Sequence, residues 1–206
     1  MPRLSADQRR ADLVAATVRV AVAEGLEAAT VRRVAQEAGV PLGTVHYCFG
    51  SKTALIEAVA ESITQPVIDA DAFDEMSPAE AVRASLRTYW EQIGSDRRRQ
   101  LLVYELLASL SRGDADAQAV GRRLLQRAYS TALVSVDRYI AALDHPVAVD
   151  PAAISRLIVA VTDGVSLSWI VDNDDAAAWQ TLELLGQVLA IALAALPADA
   201  VGPEPA

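Results

Sequence analysis

Apolar residues recur every three to four positions along almost the whole chain, the spacing of helices that bury one stripe. Strand-like alternation is nearly absent, and Ala, Leu, Arg, Glu and Gln abound. The spacing predicts nine helices. The first covers residues 6–24, with Leu13, Ala16, Val20 and Ala23 on one face and Gly25 at its end. Thr30 is a suitable N-cap for a short helix over 31–38, which Gly39 breaks. A third spans 42–48 and stops at Gly50. Ser51 caps a fourth that turns Leu55, Ala58, Val59 and Ser62 inward and ends near Pro66. A loop follows at 69–77. Ser77-Pro78-Ala79-Glu80 then reads as a capping box with Pro at the first helical position. The fifth helix runs to residue 93 on Val82, Leu86, Trp90 and Ile93, and the sixth covers 97–111. The seventh, 115–143, has Leu125, Ala128, Ala132, Val136, Tyr139 and Leu143 as its seam. Asp150-Pro151 opens an eighth over 151–171, and Asp174 or Asp175 caps a ninth over 176–196. The Pro- and Ala-rich tail, 197–206, frays. The fold class is all-α.

The second and third helices are short and joined by a tight glycine-containing turn, the arrangement of a helix-turn-helix. Ala35 is small where the pair must touch. Gly39 supplies a positive φ for the turn, and Val34, Val40 and Val45 point inward. An ordinary helical corner would satisfy the same positions. Two cations add to the pattern. Lys52 follows the Ser51 cap, where the helix dipole disfavours a positive charge by about 0.3–1 kcal/mol unless an anion completes the site. Arg33 stands three residues after the Thr30 cap, where a glutamate would have closed a capping box. His46 and Tyr47 add a ring donor and a phenol suited to phosphate.

Charge changes the picture next. The net charge is −9, which taken alone argues against a nucleic-acid partner. It is unevenly spread: residues 1–52 carry seven bases (Arg3, Arg9, Arg10, Arg19, Arg32, Arg33, Lys52) and five acids, and the remainder is strongly acidic. A mildly basic head on an acidic body fits two jobs, one of them facing an anion. The single Cys48 excludes an internal disulfide and fits a reducing compartment. No charge-free apolar run reaches about 18 residues, and Met1–Arg10 lacks an apolar core, so neither a membrane span nor a secretory signal is expected. A cytoplasmic protein without a membrane partner is the expectation.

The run Thr30-Val31-Arg32-Arg33-Val34-Ala35-Gln36-Glu37-Ala38-Gly39-Val40-Pro41-Leu42-Gly43-Thr44-Val45-His46-Tyr47-Cys48-Phe49-Gly50-Ser51-Lys52 closely resembles the DNA-binding signature of the TetR family of one-component transcriptional regulators. The likeness is strong over residues 8–60; beyond them only length, helical character and helix order agree. It implies a three-helix DNA-binding domain over 1–52 and a larger helical effector-binding and dimerisation domain over 53–206. By the resemblance, Thr30, Thr44, Tyr47 and Lys52 meet the DNA backbone, and Leu42, Gly43 and His46 lie near base edges or sugars. With Arg32 and Arg33 these form the candidate DNA-binding set. Phe49 matches a buried aromatic tying the third helix to the fourth. The sequence departs from the pattern at His46 (usually Tyr), Cys48 (often His), Pro41 (commonly Ser) and Arg33 (usually an acid), which bears on base preference. The implied partners are a double-stranded DNA operator, a small-molecule effector and a second copy of the chain.

The body can be read independently for both latter partners. The eighth helix is apolar along Ile154, Leu157, Ile158, Val161, Val165 and Trp169, and the ninth along Trp179, Leu182, Leu185, Gly186, Leu189 and Leu193. Both are also apolar off those stripes, at Val159, Val171, Leu184 and Ile191, which is broader than one core needs. Leu157, Val161, Val165, Leu182, Gly186, Leu189 and Leu193 are the expected isologous dimer seam. For an effector pocket, polar groups stranded in apolar runs single out Glu105 and Asp163, with Trp90, Tyr104, Tyr129 and Trp169 as large lining side chains. An unpaired buried Glu105 would favour a cationic or hydrogen-bond-donating ligand. The same residues also suit core packing, and Glu105 could pair with an arginine.

An enzyme is disfavoured. The two histidines, His46 and His145, have no Ser, Asp or Cys partners at catalytic or metal-ligand spacing, and no glycine-rich phosphate loop is present. No cofactor and no metal site is expected. The expected function is a DNA-binding repressor released from a palindromic operator by a small molecule; the alternatives are an activator or effector-independent DNA-binding regulator and, from another class, a helical scaffold without DNA binding.

Overall fold

The computed structural model describes residues 5–63, 76–94, 96–143 and 145–195. Among them it contains nine α-helices and no strand: α1 (Ala6–Glu24), α2 (Val31–Glu37), α3 (Leu42–Phe49), α4 (Lys52–Ser62), α5 (Pro78–Gly94), α6 (Arg97–Ser111), α7 (Ala115–Ala141), α8 (Pro151–Asp172) and α9 (Asp175–Ala195). Every expected helix is present; α4 ends at Ser62, ahead of the expected Pro66, and the other ends shift by at most two residues. A 3-10 turn at Leu26–Ala28 is an addition that the spacing does not predict. The expected stop at Pro66, most of the loop at 69–77 and the tail at 197–206 lie outside the described residues.

The helix starts follow from capping. Ser5, Thr30, Ser51, Asp96 and Asp150 each accept a backbone N–H of the following first turn, satisfying donors that have no intrahelical partner. At α5 the capping box closes: the Ser77 N–H donates to Glu80 Oε2 at 3.0 Å, and the Glu80 N–H to Ser77 Oγ at 3.4 Å. The Ser77 hydroxyl, then its N–H, hold the Glu80 carboxyl below the usual range. At α9 the two aspartates divide the work. Asp174 accepts the Ala177 N–H at 2.9 Å and is the cap, whereas Asp175 accepts the Trp169 indole N–H at 2.6 Å.

The chain forms two compact units. The first joins residues 5–63 to 96–124, and the second joins 76–94 to 125–195; the division falls within α7. In the first unit, Leu13, Ala16, Val34, Ala35, Val45, Phe49 and Leu55 form one cluster of α1 to α4. Val20, Leu26, Ile56, Val59, Leu102 and Leu106 form a second that includes α6. The buried face of α1 turns with the helix: Thr17 and Ala21 join it, and Ala23 is exposed. In α7, Leu124 is buried in place of the expected Leu125. The second unit packs Leu86 of α5, Val136 and Tyr139 of α7, Val165 and Trp169 of α8, and Leu182, Leu185, Leu189 and Leu193 of α9 around one core. By length and composition alone α8 and α9 could cross a bilayer. Each instead lays one face into this core, and α8 carries Arg156 and Asp163.

Candidate nucleic-acid interface

The turn between α2 and α3 sets the site. Gly39 has φ +65°, and its N–H donates to the Gln36 carbonyl at 3.2 Å while the Val40 N–H reaches the Ala35 carbonyl at 3.0 Å. These two bonds make a Schellman end, and Val40 packs in the same cluster as Val34 and Ala35. Only a residue that tolerates left-handed backbone stops α2 this way, so Gly39 fixes where α3 begins. Val45 and Phe49 bury the inner face of α3 at 1% and 8% exposure. Its other face is open: Leu42 is 45% and Tyr47 83% exposed, and Gly43 and His46 are exposed too. Thr44 is half-buried. An isolated helix this short is not stable in water, so α3 is a seated element whose outer surface stays open among the described residues.

The two ends of α3 differ. Pro41 occupies the N-cap and offers no side-chain acceptor. At the other end the Gly50 N–H donates to the His46 carbonyl at 2.8 Å, and the Cys48 carbonyl accepts from Nη1 of Arg10, which lies on α1. The Arg10 guanidinium carbon sits 4.4 Å from the Phe49 ring centroid. The half-buried Cys48 packs against the α1–α4 cluster as a small apolar filler.

The cations flanking α3 prove unequal. Lys52 and Arg32 are exposed, and neither joins an ion pair among the described residues. Arg33 does. Its guanidinium bonds Glu24 at 2.7 Å and Glu37 at 3.1 Å, and Glu37 also takes Arg19 at 3.1 Å. The Glu24 bond raises Arg33 above its ordinary value; Arg19, then Arg33, hold the Glu37 carboxyl below the usual range. The expectation that Arg33 marks an anion site is therefore corrected. Its place at the start of α2 is explained by two carboxylates that bind α1 to α2. Thr30 spends its hydroxyl as the α2 cap, accepting the Arg33 N–H at 3.2 Å.

The six effector candidates are divided between the two units. Glu105 and Tyr104 belong to the first unit, and Trp90, Tyr129, Asp163 and Trp169 to the second. Glu105 is corrected to a structural role: its Oε2 accepts the Leu26 N–H at 3.1 Å, capping a 3-10 turn whose own N-cap, Gly25, has no side chain to offer. A contact between residues this far apart in sequence leaves no local trace. Trp169 is 3% exposed, meets Trp90 edge to face at 5.2 Å and gives its N–H to Asp175, so it is a core residue. Tyr129 lies under Arg156, whose guanidinium carbon is 4.6 Å from the ring. Asp163 is half-buried near Tyr89. Sequence reasoning missed Tyr89. Its hydroxyl is 3.0 Å from Ser166 Oγ, and burial above all pushes its phenol up to about 12. Between α5 and α9 runs an open groove of about 240 Å³ lined in part by Arg83, Leu86, Trp179, Glu183, Gly186 and Gln187; none of the six candidates lines it.

The dimer seam is also corrected. Val165, Leu182, Leu189 and Leu193 are buried within the second unit's own core, and a Cβ on Gly186 would come within 3.2 Å of Leu86. Those stripes had to fill one subunit's core first. Leu157 is 52% exposed, and Val161 is half-buried. The outward faces carry Leu157, Leu167 and Val171 on α8 and Leu184, Val188 and Ile191 on α9, all more than half exposed. Val171, Leu184 and Ile191 are among the off-stripe residues that signal a second face; Leu167 and Val188 join them only in the folded structure.

Residues 13–59 match the family described as "Bacterial regulatory proteins, tetR family". Among curated proteins, the chain is 27% identical over 179 residues to the HTH-type nicotine-responsive transcriptional repressor HdnoR of Paenarthrobacter nicotinovorans, covering 84% of this chain and 89% of that one. Among solved structures, the multidrug binding protein EbrR complexed with imidazole is 27% identical, with a TM-score of 0.60 over 90% of this chain and 96% of that one. A transcriptional regulator from Rhodococcus sp. Rha1 is 18% identical and shares the fold, with a TM-score of 0.71 over 91% and 99% of the two chains.

Proposed function

The chain belongs to the tetR family of bacterial regulatory proteins and is a transcriptional regulator, and from that premise we propose that it is a cytoplasmic, effector-responsive repressor that binds a palindromic operator as a homodimer. One observation carries the DNA-binding part of this reading. The outer face of α3 presents Leu42, Gly43, His46 and Tyr47 to solvent on a helix held firmly from behind, with Arg32 and Lys52, exposed and outside every ion pair among the described residues, at the starts of α2 and α4. A helix so presented suits the major groove, and flanking cations suit the phosphates that position it. In this reading Thr30, Thr44, Tyr47, Arg32 and Lys52 touch backbone, and Leu42, Gly43 and His46 meet base edges or sugars; Arg33 is left out.

Two copies joined through the outward faces of α8 and α9 would present two α3 helices to half-sites about 34–36 Å apart. The effector part rests on the relatives. HdnoR is named for its response to nicotine, and EbrR was solved with imidazole. Such a ligand releases operator only if it binds the non-operator form better, by about 5.5 kcal/mol for a nearly complete switch. Trp90, Tyr104, Tyr129 and Asp163 remain the effector candidates, with Tyr89 added to them. A regulator acting by these contacts needs no cofactor or catalytic group.

The test is an electrophoretic shift with the DNA flanking the protein's own gene, across a salt series, for the wild type and Lys52→Ala. The variant should bind more weakly at every sequence, and the slope of log K against log salt should fall by about 0.9 for each phosphate that is no longer neutralised. Equal binding across the series removes Lys52 from the interface. Adding nicotine or imidazole to the wild-type complex tests release.

A further inference from the structure

We infer that Arg10, on α1, is a positioning residue for the recognition helix: it clamps the C-terminal end of α3 and thereby sets where His46 and Tyr47 point. The inference rests on the DNA-binding reading above but invokes no contact between Arg10 and nucleic acid.

α3 has few means of holding itself. It has no side-chain cap at Pro41, and its inner face gives the cluster two buried side chains, Val45 and Phe49, with the half-buried Cys48 beside them. At its end the His46 carbonyl is taken by the Gly50 N–H and the Phe49 carbonyl by the Ser51 N–H. The Cys48 carbonyl has no such local donor, because a helix leaves its last carbonyls without partners. Arg10 fills this gap from 38 residues upstream, donating through Nη1. The same guanidinium covers the Phe49 ring. Its charge also lies at the negative end of the helix dipole, where a cation is favourable. One planar group thus meets a carbonyl edge-on and a ring face-on, which a lysine ammonium cannot do together. Phe49 is buried among Leu13, Val45 and Leu55, so the clamp ties the last turn of α3 to the rigid body of the head. That turn carries His46 and Tyr47.

A cation near the interface could instead touch a phosphate, and the test separates the two. Full-length wild type, Arg10→Ala and Arg10→Lys are compared on a duplex selected by the wild type from a randomised pool and on a random-sequence duplex. Clamping predicts that both variants lose about tenfold on the selected duplex, with random-sequence binding and the salt slope unchanged. A phosphate contact predicts equal loss on both duplexes, a slope lower by about 0.9 per site, and rescue by lysine; that result overturns the inference. Amide hydrogen exchange without DNA supplies a second reading. In both variants the Phe49 and Gly50 amides should exchange several-fold faster, with α2 and α4 amides unchanged. Unaltered exchange at α3 overturns the clamp, and a global acceleration shows mere destabilisation and overturns it too. If the wild type selects no sequence, the DNA-binding reading fails while the exchange comparison still decides the clamp.

Discussion

Gly43→Ala should move stability and DNA binding in opposite directions. Gly43 is the second residue of α3, has ordinary helical backbone, and is exposed. A Cβ built on it meets no atom within 4 Å. Nothing inside the subunit therefore asks for glycine, although glycine in a helix costs about 0.5–1 kcal/mol relative to alanine. Restoring the methyl should raise stability by up to that amount, or about 2–4 °C in Tm for a chain of this size. A partner lying close against the helix would explain the missing side chain. If that partner is the DNA surface, an added methyl holds α3 off the groove, and affinity should fall about tenfold or more, equivalent to about 1.4 kcal/mol. Calorimetry gives the first quantity, and fluorescence anisotropy with a labelled duplex the second. A variant that melts higher and binds as well as the wild type would show that Gly43 lies outside the contact surface. A lower Tm would show that the start of α3 needs glycine for itself.

His46→Ala should change which sequence is preferred, measured by selection from a randomised pool, with little change in salt slope. Ile191→Lys or Leu184→Glu on the outward face of α9 should leave the helical circular dichroism intact and give a monomer by light scattering, whereas Leu182→Ala, fully buried, should cost about 2–5 kcal/mol in urea unfolding. Glu105→Ala should lower Tm by removing the acceptor for Leu26, and should leave operator release by any active ligand unaltered. Raised pH tests Tyr89. A phenol whose folded-state pKa is lifted to about 12 contributes stability that is complete below about pH 10 and is lost as pH rises toward 12, so Tm should fall across that window and fall less in Tyr89→Phe.

Helix positions were legible in the sequence because period, caps and glycine stops are local signals: Thr30, Ser51 and Asp150 all cap as their position suggests. The helix-turn-helix was legible for the same reason, since Ala35, Gly39 and Val45 act within a dozen residues. What was not legible lies in pairings between distant segments. A cation at a helix start says nothing of whether a carboxylate elsewhere answers it, and Arg33 and Lys52 look alike until Glu24 and Glu37 are placed. Glu105 is the same case with the sign reversed. On α8 and α9 a wide apolar helix announces more apolar surface than one core needs, but periodicity cannot say which stripe turns into that core. The stripe of Leu182, Leu189 and Leu193 went inward, and Leu184, Val188 and Ile191 went out.

In the proposed dimer, the outward leucines, valines and isoleucine of α8 and α9 make dilution a variable of the folded state. A lone subunit must hold that greasy surface against water, so its thermal midpoint should climb with protein concentration as mass action favours the paired form. Synthesis rate then sets more than copy number. At low abundance such a dimer would be less robust as well as scarcer, and occupancy of its target would rise more steeply than in proportion to the amount made.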